Sequence, residues 1–184
     1  MKKKKNYKLG TWLTIYSPES IEIITSFKFS WIGIDLEHST INFEQLSIII
    51  SLIKKSGIEA WVRVGKNDDY LIKKTLDLGP EGIIVPMIKN KQDAIKAVKF
   101  SRYPPSGIRS FGYCKANKYG INFKQYINKS KKLKIILQIE HVDAINNLEE
   151  ILSIKGINGT FIGPYDLSGS IKKLTGISTI SPLS

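Results

Sequence analysis

The chain has 184 residues, 42% of them apolar and 24% charged. That length suggests one domain with enough chain to bury a core, and that composition excludes a disordered tract, a collagenous repeat or a disulfide scaffold. The formal net charge is +12, carried by 28 basic and 16 acidic residues, yet only Arg63, Arg102 and Arg109 are arginine.

Short apolar runs alternate with longer amphipathic ones. Thr11 to Ile15 predicts a first strand. Pro18 opens a helix to about Phe27, with Ser17 as its N-cap. Trp31 to Asp35 predicts a buried strand. Phe43 to Lys55 predicts a helix, with Ile48, Leu52 and Lys55 at helical spacing and Gly57 as its stop. Ala60 to Val64 is a third strand, and Asp69 to Leu78 a helix ended by Gly79. Gly82 to Pro86 is a fourth strand, Lys91 to Phe100 a helix, and a long loop runs on to Asn122. Phe123 to Lys131 is a short helix. Lys134 to Ile139 is a fifth strand, Val142 to Ser153 one helix ended by Gly156, and Thr160 to Gly163 a sixth strand. Strands of four to six apolar residues alternating with helices mean βα units and a parallel sheet covered on both faces.

Lysine, isoleucine and asparagine rise together, a pattern of codon drift more than of a nucleic-acid surface, which uses arginine forks and interleaved aromatics. Lysines such as Lys54, Lys55, Lys73, Lys74, Lys131 and Lys132 fall on polar helix faces, so no specific nucleic-acid partner is expected. Cys114 stands alone, which excludes an intrachain disulfide and fits a cytoplasmic location. The basic start, residues 1–8, reads as a flexible tail; no apolar stretch follows it as in a signal peptide, and no run reaches a membrane span. The remaining chain divides into a domain over 9–176 and a tail over 177–184.

Four strands end in residues that are costly to bury: Asp35-Leu36-Glu37-His38, Arg63, Gln138-Ile139-Glu140, and Gly163-Pro164-Tyr165-Asp166. Parallel α/β folds gather these ends on one face, where chemistry sits. Two carboxylates with few histidines favour a hard cation, Mg²⁺ or Mn²⁺, with Glu140 and Asp166 the preferred pair. Arg63 suits a developing oxyanion and His38 a proton transfer. Each residue also has a plainer reading. Asp166 fits an N-cap, Arg63 a partner of Asp35 or Glu37, and His38 an exposed histidine. His141 reads as a bystander. Asp77 reads as a surface charge unless it reaches His38.

The run Trp31-Ile32-Gly33-Ile34-Asp35-Leu36-Glu37-His38 resembles a segment of the HpcH/HpaI class II pyruvate-aldolase family. So, in order, do Val62-Arg63-Val64, Leu76-Asp77-Leu78-Gly79, Gly82 to Met87, Arg102-Tyr103-Pro104-Pro105-Ser106-Gly107-Ile108-Arg109, Gln138-Ile139-Glu140 and Gly163-Pro164-Tyr165-Asp166-Leu167-Ser168. The resemblance covers about residues 9 to 176. It implies a TIM (β/α)8 barrel that cleaves 4-hydroxy-2-oxo acids to pyruvate and an aldehyde through a metal-stabilised enolate. It implies Glu140 and Asp166 as metal ligands and Arg63 as the enolate's partner. His38, paired with Asp77, would be the base, and Gln138, Gly163, Pro164, Tyr165 and Asp166 would line the substrate site. It implies a homo-oligomer, and places aldehyde specificity in the loop from Cys114 to Asn122. Two departures stand out. His141 occupies a position that is usually Thr or Ser. Only six βα units can be counted, so a C-terminally truncated barrel is expected, either active or reduced to a binding or assembly role.

Overall fold

A computed structural model describes residues 8–175. Of the segments expected to be tails, 1–8 and 177–184, residues 1–7 and 177–184 lie outside the described residues. Six strands, β1 (Gly10–Leu13), β2 (Trp31–Asp35), β3 (Glu59–Arg63), β4 (Gly82–Val85), β5 (Lys134–Ile139) and β6 (Gly159–Ile162), pair in chain order, every pair parallel. The helices are α1 (Pro18–Thr25), α2 (Phe43–Lys55), α3 (Asp69–Leu76), α4 (Lys91–Ser101), α5 (Phe123–Ser130), α6 (Val142–Asn146), α7 (Leu148–Leu152) and α8 (Pro164–Thr175). A 3-10 segment, Lys115–Gly120, sits in the long loop before α5. Strand edges differ from the sequence reading by one or two residues, the usual fraying of element ends.

Local chemistry explains the helix ends. Asn42 and Gln45 form a reciprocal capping box on α2, with N–H to oxygen distances of 2.9 and 3.1 Å. Ser17 caps α1 through the Ser20 N–H at 3.1 Å. Gly57, Gly79 and Gly156 follow helices at φ of 76°, 84° and 100°, a region closed to most side chains. Ile48, Leu52 and Lys55, at helical spacing, mark the outer side of α2, where Ile48 and Leu52 are exposed, while Leu46, Ile49, Ile50 and Ile53 are buried on its inner face. Each buried residue of that face contributes roughly 2 kcal/mol of transfer free energy. The single helix expected over 142–153 is two, broken at Asn147, whose amide donates to the Lys89 carbonyl at 3.1 Å.

Strand alternation sorts side chains into two environments. Outward residues meet the helices in two cores. Leu13, Ile32, Ile34, Ala60 and Val62 pack on the α2 face, while Ile83, Val85, Ile135, Leu137 and Ile139 pack with residues of α3, α4, α6 and α7. Inward residues fill a concave interior. Trp31 and Trp61 stack at 4.9 Å, and Trp12 on β1 meets Phe161 on β6 at 5.4 Å. Rings from the first and last strands therefore touch, so the sheet is a curled half-barrel. Among the described residues no helix is long and apolar enough to cross a membrane.

Candidate active site at the carboxyl ends of the strands

Asp35 and Arg63 are register partners on β2 and β3, and both fall on the inward side. The Arg63 fork donates to both Asp35 oxygens, Nε at 2.9 Å and Nη2 at 2.7 Å. Glu37 stands 3.3 Å from the same Nε, and the guanidinium lies 5.0 Å from the Trp12 ring centre. The plainer reading of Arg63 thus holds as well, but its Nη1 makes no hydrogen bond among the described residues and the residue lines the cleft. Burial works to raise the Asp35 carboxyl, but Arg63 and the Glu37 and His38 N–H groups outweigh it and hold it below the usual carboxylate range. Glu37 shifts upward, chiefly through burial, against the pull of Arg63. The Asp35 carboxylate accepts the Glu37 and His38 N–H groups at 3.0 and 3.3 Å, which sets the turn that carries His38. The His38 side chain is 66% exposed and 3.7 Å from Glu37.

Glu140 follows β5 and is only 2% exposed. Its Oε1 accepts the Met87 N–H at 2.6 Å, and its Oε2 accepts a hydrogen bond from Gln138 Nε2. Met87 aims that N–H from a left-handed backbone, φ 54°, uncommon outside glycine and asparagine. Gly163 leaves the room, because a Cβ there would lie 2.7 Å from Glu140 Oε2. Three strand ends therefore hold one carboxylate. Gly163 also precedes α8, so Asp166 is the third residue of that helix and not its cap.

One cleft of about 500 Å³ is lined by His38, Arg63, Gln138, Glu140, Gly163, Pro164, Tyr165 and Asp166, with Trp12 and Phe161. Asp77 is not among them. It caps the end of α3 and accepts from Arg109 Nη2 at 2.7 Å. Helix α3 runs back from the Arg63 end of the sheet, so Asp77 lies at the opposite end, and the expected pairing with His38 is not made within the chain. His141 has a local role: its Nδ1 accepts the Asp143 N–H at 3.1 Å and caps α6, work that a Ser or Thr oxygen does elsewhere. The sequence reading missed Met87, the space at Gly163 and Trp12. Only the glycine, placed between a strand and Pro164, carried a local signal.

Residues 8–178 match the HpcH/HpaI aldolase/citrate lyase family. The chain belongs to that family. It is 39% identical over 171 residues to a 2-dehydro-3,6-dideoxy-6-sulfogluconate aldolase of Pseudomonas putida, a match covering 91% of this chain and 66% of that protein. It is 36% identical over 165 residues to a 4-hydroxy-2-oxo-heptane-1,7-dioate aldolase of Shigella flexneri, covering 89% and 62%. A crystal structure of a family member from Burkholderia cenocepacia J2315 superposes with a TM-score of 0.83 at 27% identity, covering 88% of this chain and 66% of that one. The chain therefore spans a little under two thirds of the length of these relatives.

The resemblance to class II aldolases implies a divalent cation, and the donor set here fits one. The groups are oxygens, which suit a hard ion. Among the described residues, Gln138 Oε1 is buried beside Glu140 with no hydrogen-bond partner, and each Glu140 oxygen is held by one N–H, leaving lone pairs free. No cluster of three or more His, Cys, Asp or Glu forms among the described residues. A cation here would rest on two carboxylates, with substrate and water completing its shell, as Mg²⁺ commonly does.

Proposed function

We propose that this chain is a carbon–carbon lyase that cleaves 4-hydroxy-2-oxo acids into pyruvate and an aldehyde, with Glu140 and Asp166 holding a divalent cation, Mg²⁺ or Mn²⁺. One observation carries the reading: eight residues from four separated segments, expected for this chemistry, line one cleft. When bound, the cation supplies Lewis-acid polarisation of the 2-oxo group. The N–H groups of Tyr165 and Asp166, in the first turn of α8, orient the substrate carboxylate. His38 takes the proton of the C4 hydroxyl, directly or through a water. The C3–C4 bond breaks, its electron pair passes toward the C2 oxygen, and an aldehyde leaves. Arg63, fixed by Asp35, presents Nη1 to the negative charge that develops on that oxygen. Protonation at C3 completes pyruvate. Gln138 keeps Glu140 in place. No lysine is needed as a Schiff base, and Asp77 has no part within one chain.

The test is pyruvate release from a panel of 4-hydroxy-2-oxo acids with Mg²⁺ or Mn²⁺, coupled to a lactate dehydrogenase readout. Activity should vanish with EDTA and return with metal. His38→Ala should lower kcat by about 10²–10⁴-fold, as for loss of a general base, and Glu140→Ala should abolish metal-dependent turnover. Absence of pyruvate across the panel, or release indifferent to EDTA, would sink the proposal and favour a binding or assembly role.

A further inference from the structure

The cleft at the strand ends has two unlike parts. Its polar groups, Arg63, Gln138, Glu140 and Asp166, come from the ends of β3 and β5 and the start of α8, while its side toward β1 and β6 is aromatic. Trp12 of β1 and Phe161 of β6 both line it, and their rings meet edge to face with centres 5.4 Å apart. Trp12 is held from two further sides, by the Trp31 ring at 6.3 Å and by the Arg63 guanidinium at 5.0 Å. Gly33 makes the room, because a Cβ there would lie 3.0 Å from the Trp12 ring. The aromatic floor is therefore set before any ligand arrives, which spares a ligand the cost of ordering it.

Tyr165 adds a third ring at the rim. It follows Pro164 in the first turn of α8, lines the same cleft and is 64% exposed. In the cleavage proposed above, the 2-oxo acid end of the substrate takes up Glu140, Asp166, Arg63 and the first turn of α8, and His38 marks the C4 hydroxyl. What lies beyond C4, the part that leaves as the aldehyde, then meets the aromatic floor and Tyr165. A remote anion would exchange its water for ring faces there, and Arg63 on the same wall already serves Asp35 and Glu37. Residues 114–122, where the resemblance put aldehyde specificity, are not on the walls of this cleft among the described residues.

Resting on that aldolase reading, we propose that the aldehyde half of the cleft selects uncharged aldehydes with an apolar chain or ring, and that Tyr165 is a specificity-determining residue for it. Aromatic side chains offer large apolar faces at little cost in side-chain entropy. An apolar pocket discriminates through the apolar surface that a substrate adds, by about 10–200-fold per methylene group.

Aldol addition to pyruvate with Mg²⁺, the reverse of the cleavage, reads this half of the cleft. Pyruvate gives up a C3 proton, C3 bonds the aldehyde carbon, and the aldehyde oxygen takes a proton from His38. Hexanal and 6-oxohexanoate share a chain and differ in the charge at its end, while acetaldehyde lacks the chain. The kcat/KM for hexanal should exceed that for either of the others by about tenfold or more. Tyr165→Ala should lower the ratio of hexanal to acetaldehyde by about tenfold, and Tyr165→Phe, which keeps the ring, should preserve it. Exchange of the pyruvate C3 protons in deuterium oxide, followed by NMR without aldehyde, tests the aldolase reading by itself. Exchange together with a kcat/KM for 6-oxohexanoate equal to or above that for hexanal overturns this proposal alone. So does exchange together with a hexanal-to-acetaldehyde ratio that Tyr165→Ala leaves unmoved. No exchange overturns both readings.

Discussion

Asp35 ties together two functions with one carboxylate. It accepts four hydrogen bonds, two from the Arg63 fork and two from the backbone of the His38 turn. Asp35→Asn replaces an acceptor with an amide that faces the guanidinium with its own N–H groups. The loss should be about 3 kcal/mol of unfolding free energy at neutral pH, the scale for breaking a buried ion pair, and pyruvate release should fall as Arg63 loses its orientation. The pH dependence has a definite sign. The folded Asp35 carboxyl lies below its ordinary value. Its stabilisation is therefore complete above that value, about pH 4, and is lost as pH falls through the depressed one. The gap between wild type and variant in urea unfolding should be widest at pH 7 and narrow at pH 3. An equal gap at both would contradict the charge-based account. Glu37 is raised and titrates with the opposite sign; present in both proteins, it largely drops out of the difference.

Between strands, the recurrent unit is a tryptophan laid over a glycine of its neighbour. Gly10 and Trp31 are register partners, as are Trp12 and Gly33, and Trp61 and Gly82. A Cβ on Gly10 would sit 2.0 Å from the Trp31 ring, and one on Gly33 or Gly82 would sit 3.0 Å from its tryptophan. Gly10→Ala should therefore force a ring or strand shift costing about 2 kcal/mol, lowering Tm by about 4–8 °C in a chain of this size. Gly169→Ala is the control, since a Cβ there meets nothing within 4 Å, and its Tm should not fall. The interlock was readable, for Gly-x-Trp in β1 faces Trp-x-Gly in β2, but only once the register is known. Other features were legible because their chemistry is local: the Ser17 cap, the glycine stops, and the costly residues at four strand ends. The Asn147 break was not, because it depends on a bond to Lys89, 58 residues away. The helix α2 was legible from its spacing, but its buried stripe was not, because Ile48 and Leu52 share the spacing of Ile49 and Ile53 and only packing against β2 and β3 decides between them. Asp77 shows the reverse. Its place after a returning helix already put it at the far end from His38, and the family resemblance outweighed that geometry.

Across the whole molecule, the half-barrel has two ends and two open sides. The cleft at the carboxyl ends of the strands carries Glu140 and Asp166 with Arg63, whereas a cavity elsewhere is bordered by Lys54, Lys129, Lys132 and Lys134, so the charge of +12 is unevenly spread. Among the described residues the open sides are β1 and β6, each paired on one side only. Strand β5 is buried along nearly its whole length, while on β6 the outward Thr160 and Ile162 are exposed, Ile162 to 62%. Tyr165, at the start of α8, is 64% exposed beside it. An unpaired parallel edge next to apolar side chains is a template for association. The chain alone should therefore purify as an oligomer that covers these edges, with a mass by light scattering at least twice the monomer's 20.8 kDa. Its apparent stability should then rise with protein concentration, because assembly draws on the folded form. A monodisperse monomer that unfolds cooperatively at high temperature, with a midpoint independent of concentration, would show that the curled sheet supports itself. The contact of Trp12 with Phe161 across the interior would then carry the closure that no strand pairing supplies.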